Sequence, residues 1–318
     1  MTRELKEELK AFFADFGPLF ETREENIYLV TAYEVYMAMR PLLVPGARIA
    51  DMGCYTGALV AWLATKHPEC QVFGFDRDAE AIEVAKELVT CPNVEFAEWD
   101  YLSDASVPVS DCDIVVSTLG TDFTIDDFTW ECSLDTANLG ASEFCRRRVG
   151  EALPYFQKWR GVCKPGGQLI AVLRIKNVDH HFSIVEAAHQ AGWSFDAAQS
   201  RLLQIAERPF PLVRFAARES RMPSATEIMG SWDAQEGPLQ AGQVLDYIPA
   251  LVVYESLSDK RVLYCEDSPC TDGPHTVRIS VGVAGDIGFV FQRFTTGYAE
   301  LELISPNEAE ECAAQMAA

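Results

Sequence analysis

Basic side chains are scarce in this chain of 318 residues: 26 Lys and Arg stand against 48 Asp and Glu, a formal net charge of −22. A field of that sign repels phosphate backbones, so a nucleic-acid substrate would need a local basic patch. The densest basic run is only Arg146-Arg147-Arg148, and no nucleic-acid partner is expected. Long apolar runs are lacking as well. No window approaches the ~18 uncharged apolar residues of a membrane span. The opening Met-Thr-Arg-Glu-Leu-Lys-Glu-Glu is charged, with no apolar signal core behind it. These absences predict a soluble, cytoplasmic protein with no membrane partner. Cysteine is present in ten copies, but Cys54, Cys70, Cys112 and Cys163 sit in apolar, strand-like surroundings of a chain long enough to bury a core. They read as reduced thiols. Cys265 and Cys270 have no second pair nearby, so no metal site is expected.

Within the first 46 residues, Leu5, Leu9, Phe12, Phe13 and Phe16 recur at helical spacing, and a second helical pattern runs from Tyr28 to Met39. Short apolar runs follow at 48–50, 71–75, 94–96, 113–116 and 168–173, with amphipathic helical segments at about 58–66, 78–88 and 143–160. Strands apolar on both faces, alternating with helices, predict a parallel sheet covered on both sides. Residues 221–247 are rich in Gly, Pro, Ser, Gln and acids and read as a connector. Beyond it, 251–254, 261–264, 277–281, 289–291 and 301–304 read as short strands separated by turn signals. Ser305-Pro306-Asn307-Glu308 carries a Ser cap, Pro at the first helical position and Glu at the third, and opens a last helix. The expected division is 1–46, 47–220 and 221–318.

The most informative segment is Asp51-Met52-Gly53-Cys54-Tyr55-Thr56-Gly57, which places a carboxylate and two glycines where a strand ends and a helix begins. Such a turn lets backbone come close to a ligand. The next strand ends in Asp76-Arg77, where a carboxylate could accept both hydroxyls of a ribose. The third leads to Glu98-Trp99-Asp100-Tyr101, an acid flanked by two aromatics at the edge of the same crevice. A nicotinamide site would use the same strand–turn–helix with Gly-x-Gly-x-x-Gly, but Tyr55 and Ala58 hold its second and third places.

In order and spacing these residues resemble the class I S-adenosylmethionine-dependent methyltransferases. Their glycine-rich first motif, Asp-x-Gly-x-Gly-x-Gly, matches Asp51, Gly53 and Gly57; their ribose acid matches Asp76; their adenine-contacting acid matches Asp100. Asp113-Ile114-Val115-Val116-Ser117 resembles the fourth-strand motif, and Lys164-Pro165-Gly166-Gly167 the turn before strand five. Gly192-Trp193 and Leu212–Arg218 resemble the closing helix and hairpin. The resemblance spans about 47–218. It implies an α/β fold with a doubly wound, seven-stranded, mostly parallel sheet under an N-terminal helical lid; it does not reach 221–318, where the strand and turn pattern itself predicts a small C-terminal α+β domain of antiparallel sheet and helix. The implied cofactor is S-adenosyl-L-methionine, held by Asp51, Gly53, Tyr55, Gly57, Asp76, Arg77, Asp100, Tyr101 and Ser117. Tyr55 stands where the motif has its middle glycine and is read as a modified pocket wall.

The acceptor is less legible. Ser117-Thr118-Leu119-Gly120 is neither the (Asp/Asn)-Pro-Pro-(Tyr/Phe) box of amine methyltransferases nor a Pro-Cys nucleophile, and Ser117 replaces the Asp that metal-dependent members present there. Residues 119–142 interleave acids with aromatics, including Asp122, Phe123 and Trp130, which suits a cationic or amine-bearing small molecule. Tyr33 of the N-terminal segment is a further substrate-contact candidate. His180 and His181, after strand five, could remove a proton near neutral pH. The expected reaction is O- or N-methyl transfer to a small molecule by in-line displacement. The alternatives are a protein methyltransferase acting on a basic partner and a non-catalytic cofactor-binding or interaction protein. Residues 223–318 hold 15 acids and 4 bases, and strand edges there would suit a homodimer.

Overall fold

The computed structural model describes residues 25–100, 102, 106, 108–122, 141–175, 178–205, 208–223, 225–233, 240–270, 275–295 and 298–317. Contacts divide the chain into two compact units: Met1–Asp126, Gly150–Asn177 and Ile184–Pro223 form the first; Asp127–Val149, Val178–Ser183 and Ser224–Ala318 form the second.

The first unit is built on a sheet whose parallel part holds β1 (Arg48–Met52), β2 (Gln71–Asp76), β3 (Val94–Glu98), β4 (Cys112–Asp122) and β5 (Cys163–Arg174). The remaining strands, β6 (Ser194–Phe195), β7 (Arg201–Ile205) and β8 (Arg208–Ala216), are antiparallel to their neighbours, and the order is β3-β2-β1-β4-β5-β8-β6, with β7 also on β8. β6 pairs with residues 215–216 of β8 and β7 with 208–212, so the two are pieces of one edge strand broken by the 3-10 turn Ala197–Gln199. The sheet therefore has seven strand positions. Helices α2 (Ala58–Lys66) and α3 (Ala79–Leu88) follow β1 and β2, α4 (Ala141–Val162) precedes β5, and α5 (Val178–Gln190) follows it.

Apolar periodicity explains how α1 (Glu25–Met39) is held. Its Tyr33, Tyr36 and Met39 are buried in one cluster with Trp62 and Leu63 of α2 and Ile114 and Val116 of β4, and the Tyr36 ring meets Trp62 edge-on at 5.9 Å. Tyr28 is tied from the same helix to β5, its hydroxyl accepting a 2.8 Å hydrogen bond from Arg174. The helical pattern at 5–16 lies outside the described residues. Cys54, Cys70, Cys112 and Cys163 are buried free thiols; burial pushes Cys112 up to about 11 and Cys163 up to about 12.

The second unit contains a five-stranded antiparallel sheet, β10-β11-β12-β13-β9, made of β9 (Val244–Asp246), β10 (Lys260–Pro269), β11 (Thr276–Ala284), β12 (Ile287–Phe294) and β13 (Ala299–Ile304). Alternation along the strands sends Phe289, Phe291, Leu301 and Leu303 to one face and Val281 and Val290 to the other. Helix α8 (Pro306–Met316) covers the second face with Ala309 and Ala313. It starts with the expected reciprocal cap, Ser305 Oγ accepting from Glu308 N at 3.3 Å while Glu308 accepts from Ser305 N at 2.8 Å.

Two expectations are corrected here. Residues 251–254 are not a strand but part of helix α7 (Tyr247–Ser256). A four-residue apolar run fits either period, and the sheet decides it: Ala250, Val253 and Tyr254, at helical spacing, pack on the first face, with the Tyr254 ring stacked on Phe291 at 3.8 Å. The segment 221–247 is not only connector, since it contains helix α6 (Ala225–Asp233) and β9. Ile228, Ser231 and Trp232 recur at i, i+3 and i+4 and are buried; the surrounding polar composition hid that short stripe.

Candidate functional site

The strand order reverses between β1 and β4, and open α/β sheets bind ligands outside the carboxyl ends of strands at such a point. Asp51, Gly53, Tyr55, Gly57, Asp76 and Ser117 come together there. β1 ends in Asp51-Met52, after which Gly53 (φ +81), Tyr55 (φ +49) and Gly57 (φ +80) turn the chain left-handed three times before α2 begins. β2 clamps this turn: Gly53 N and Cys54 N both donate to Phe75 O, at 2.8 and 3.0 Å, and Tyr55 N donates to Asp76 Oδ2 at 2.8 Å. Asp76 Oδ1 accepts from Asp78 N at 3.0 Å.

Gly53 and Gly57 are fixed by space as well as by φ. A Cβ on Gly53 would lie 2.5 Å from the Gly120 backbone, and one on Gly57 would lie 2.6 Å from the Phe96 ring. Gly120 belongs to an irregularity in β4, where register jumps between the pairs Thr118–Val172 and Asp122–Arg174 and buried Leu119 takes φ +57. The extra residues press the end of β4 onto the β1 turn. Ser117 Oγ locks the same junction by donating to Met52 O at 2.9 Å.

Asp51 is 2% exposed, and its Oδ1 has no hydrogen-bond partner. Burial, aided by the nearby Asp76 carboxylate, pushes its carboxyl up to about 7. Asp76 is half-buried at the adjacent strand end, Arg77 is exposed beside it, and Asp100 is exposed beyond β3, accepting from Leu102 N at 3.1 Å. Trp99 is not open to the crevice; it is buried edge-on against Phe75 at 5.7 Å. Tyr101, Phe123 and Trp130 lie outside the described residues, as does the side chain of Asp122, whose backbone pairs with Arg174 at the end of β4. Tyr33 is 6% exposed in the core cluster.

His180 and His181 fall in the second unit, whereas Asp51, Asp76, Asp100 and Ser117 fall in the first. His181 is 1% exposed, bonded to Ser231 at 3.0 Å and close to the Trp232 ring. Burial pushes its imidazole down to about 3, so it is neutral at physiological pH. One neighbour was missed at the level of sequence. Burial raises the Tyr155 phenol, which the Arg77 guanidinium pulls down and the Asp100 carboxylate pushes up, so α4 brings a phenol within electrostatic reach of both. Nothing in its local sequence, Leu153-Pro154-Tyr155-Phe156, distinguishes that ring from its core neighbour.

A family model described as a methyltransferase domain matches residues 49–137. Solved structures with a similar chain course include a TehB-like SAM-dependent methyltransferase from Corynebacterium glutamicum, 16% identical, covering 59% of this chain and 88% of that one with a TM-score of 0.39. A SAM-dependent methyltransferase from Aquifex aeolicus is 15% identical over 58% and 92% of the two chains with a TM-score of 0.40. A complex of the Haloferax volcanii Trm112 methyltransferase activator with a methyltransferase contributes a chain 15% identical over 67% and 98%, with a TM-score of 0.45. No curated protein matches the sequence. The methyltransferase-domain match over residues 49–137, the strand order and the strand-end carboxylates agree with the class I methyltransferases that the motifs resemble. The cofactor of that class is S-adenosylmethionine. The residues present fit it: a buried carboxylate oxygen without a partner, an acid at the end of the neighbouring strand, and a left-handed turn between them.

Proposed function

We propose that the protein transfers the methyl group of S-adenosylmethionine to an oxygen or nitrogen of a small, neutral or cationic molecule. The observation that carries this reading is Asp51, a buried carboxylate with its Oδ1 unsatisfied, one strand away from Asp76. Such a group is costly in isolation, and a ligand amino group would both pair with it and restore its ionised form. Asp76 keeps lone pairs for ribose hydroxyls while its backbone partners hold it still, and Asp100 offers an acceptor to an exocyclic amine. Bound S-adenosylmethionine supplies an electrophilic methyl carbon on a sulfonium leaving group. The chain's own contribution is to bind, orient and exclude water, and alignment alone can supply much of the rate of an in-line displacement. The net charge of −22 favours an acceptor that is not a polyanion.

Calorimetry with S-adenosylmethionine, S-adenosylhomocysteine and NAD tests the cofactor. The first two should bind and NAD should not, and Asp76→Ala should weaken both by roughly 100-fold, the loss of two charge-assisted hydrogen bonds. NAD binding in their place sinks the reading. Transfer of radiolabelled methyl in a fractionated lysate tests the acceptor: label should enter the small-molecule pool, and label in precipitable protein would show a protein acceptor instead.

A further inference from the structure

Tyr55 is unusual on three independent counts. It is a non-glycine residue at φ +49, a backbone region that side chains other than Asn and Asp seldom occupy. It also directs a large apolar ring outward, 58% exposed, although its neighbours Cys54 and Gly57 are buried. Its amide donates to the carboxylate of Asp76, the acid assigned to the ribose, so the turn that bears the ring is tied to the proposed sugar site. The turn is held in this conformation from both sides, by the hydrogen bonds of Gly53 N and Cys54 N to Phe75 O and by the close approach of Gly120 to Gly53. A glycine would satisfy that backbone without strain, and no hydrogen bond or ring contact of the Tyr55 side chain within the chain accounts for the tyrosine among the described residues. Strain retained at a rigid turn to present an exposed aromatic is the pattern of a ligand clamp.

We propose that Tyr55 is an aromatic cover over the nucleoside of the bound cofactor, closing the outer wall of a pocket whose inner wall is Asp51 and Asp76. This rests on the S-adenosylmethionine reading above and adds the residue that sets cofactor retention. The cover acts on the adenosyl part, which substrate and product share, so it lowers the dissociation of S-adenosylmethionine and S-adenosylhomocysteine alike.

The test is calorimetry of both ligands, with thermal melting, on the wild-type chain and on Tyr55→Phe, Tyr55→Asn and Tyr55→Gly. Tyr55→Phe should keep both affinities within about twofold, because the ring remains. Tyr55→Asn and Tyr55→Gly, which tolerate the left-handed turn, should melt no lower than wild type yet bind both ligands about tenfold more weakly, the loss of one aromatic contact. Wild-type affinity in the Asn and Gly variants overturns the cover. So does a loss confined to one ligand, or an equal loss in Tyr55→Phe. A wild-type chain that binds neither ligand overturns the cofactor reading itself, and the variants then have nothing to cover.

Discussion

A carboxyl group that is 2% exposed cannot ionise without cost, and Asp51 illustrates how a binding residue draws on stability. Its carboxyl titrates at about 7 in the fold against 3.8 when free. Between those values the folded state holds a proton that the unfolded chain has lost, so stability falls as pH rises from 3.8 to 7 and is level above that. The total is on the order of a few kcal/mol. Asp51→Asn removes the ionisation, and its melting temperature should exceed that of wild type by more at pH 8 than at pH 5.5, while S-adenosylmethionine binding is lost. An increment independent of pH in thermal melts would mean that Asp51 is ionised without penalty. The sequence placed Asp51 at a strand end, but its isolation depends on what packs around it, which the local string does not record.

At the scale of elements, the β1–α2 turn is set by two contacts that differ in kind. Gly53 faces the Gly120 backbone, which cannot yield; Gly57 faces the Phe96 ring, which can partly turn. Both glycines have φ near +80, so alanine at either strains the backbone. Gly57→Ala should cost about 2–3 kcal/mol, and Gly53→Ala should cost more, because overpacking against main chain adds to the strain. Urea unfolding of the two variants measures the difference, and equal costs would show that the β4 irregularity moves freely. The two glycines were visible in the motif; their partners were not. Gly120 reaches Gly53 only because β4 carries extra residues between its pairings with β5, and Phe96 reaches Gly57 only because β3 lies beside β2. The same limit explains α7, whose apolar run is compatible with strand or helix until Phe289 and Phe291 supply a face for it.

For the whole molecule, the two units carry buried titratable groups of opposite response. Asp51 in the first gains protons on folding. His181 in the second loses them, its imidazole lowered to about 3 from 6.5, so the stability it permits is complete above 6.5 and is lost as pH falls toward 3. Acidification from pH 7.5 to 5.5 should therefore loosen the second unit while firming the first. Hydrogen exchange read by mass spectrometry should show protection falling at 277–303 and not at 48–76; a uniform fall across both would discount the histidine. His181→Phe should abolish the acid sensitivity of the second unit. By itself the sequence determined the strand–helix alternation of the first unit, the order of its motif residues, the capped last helix and the charge of −22, because period, turn chemistry and spacing are local properties. Only the tertiary structure decided that Asp51 is buried with its Oδ1 unpartnered, that His181 is a neutral core group bonded to Ser231, that Ser117 is a clasp on β1, and that Tyr55 stands exposed on a strained turn. Each of those depends on which distant segments close around a residue, and burial and partnership are properties of that closure.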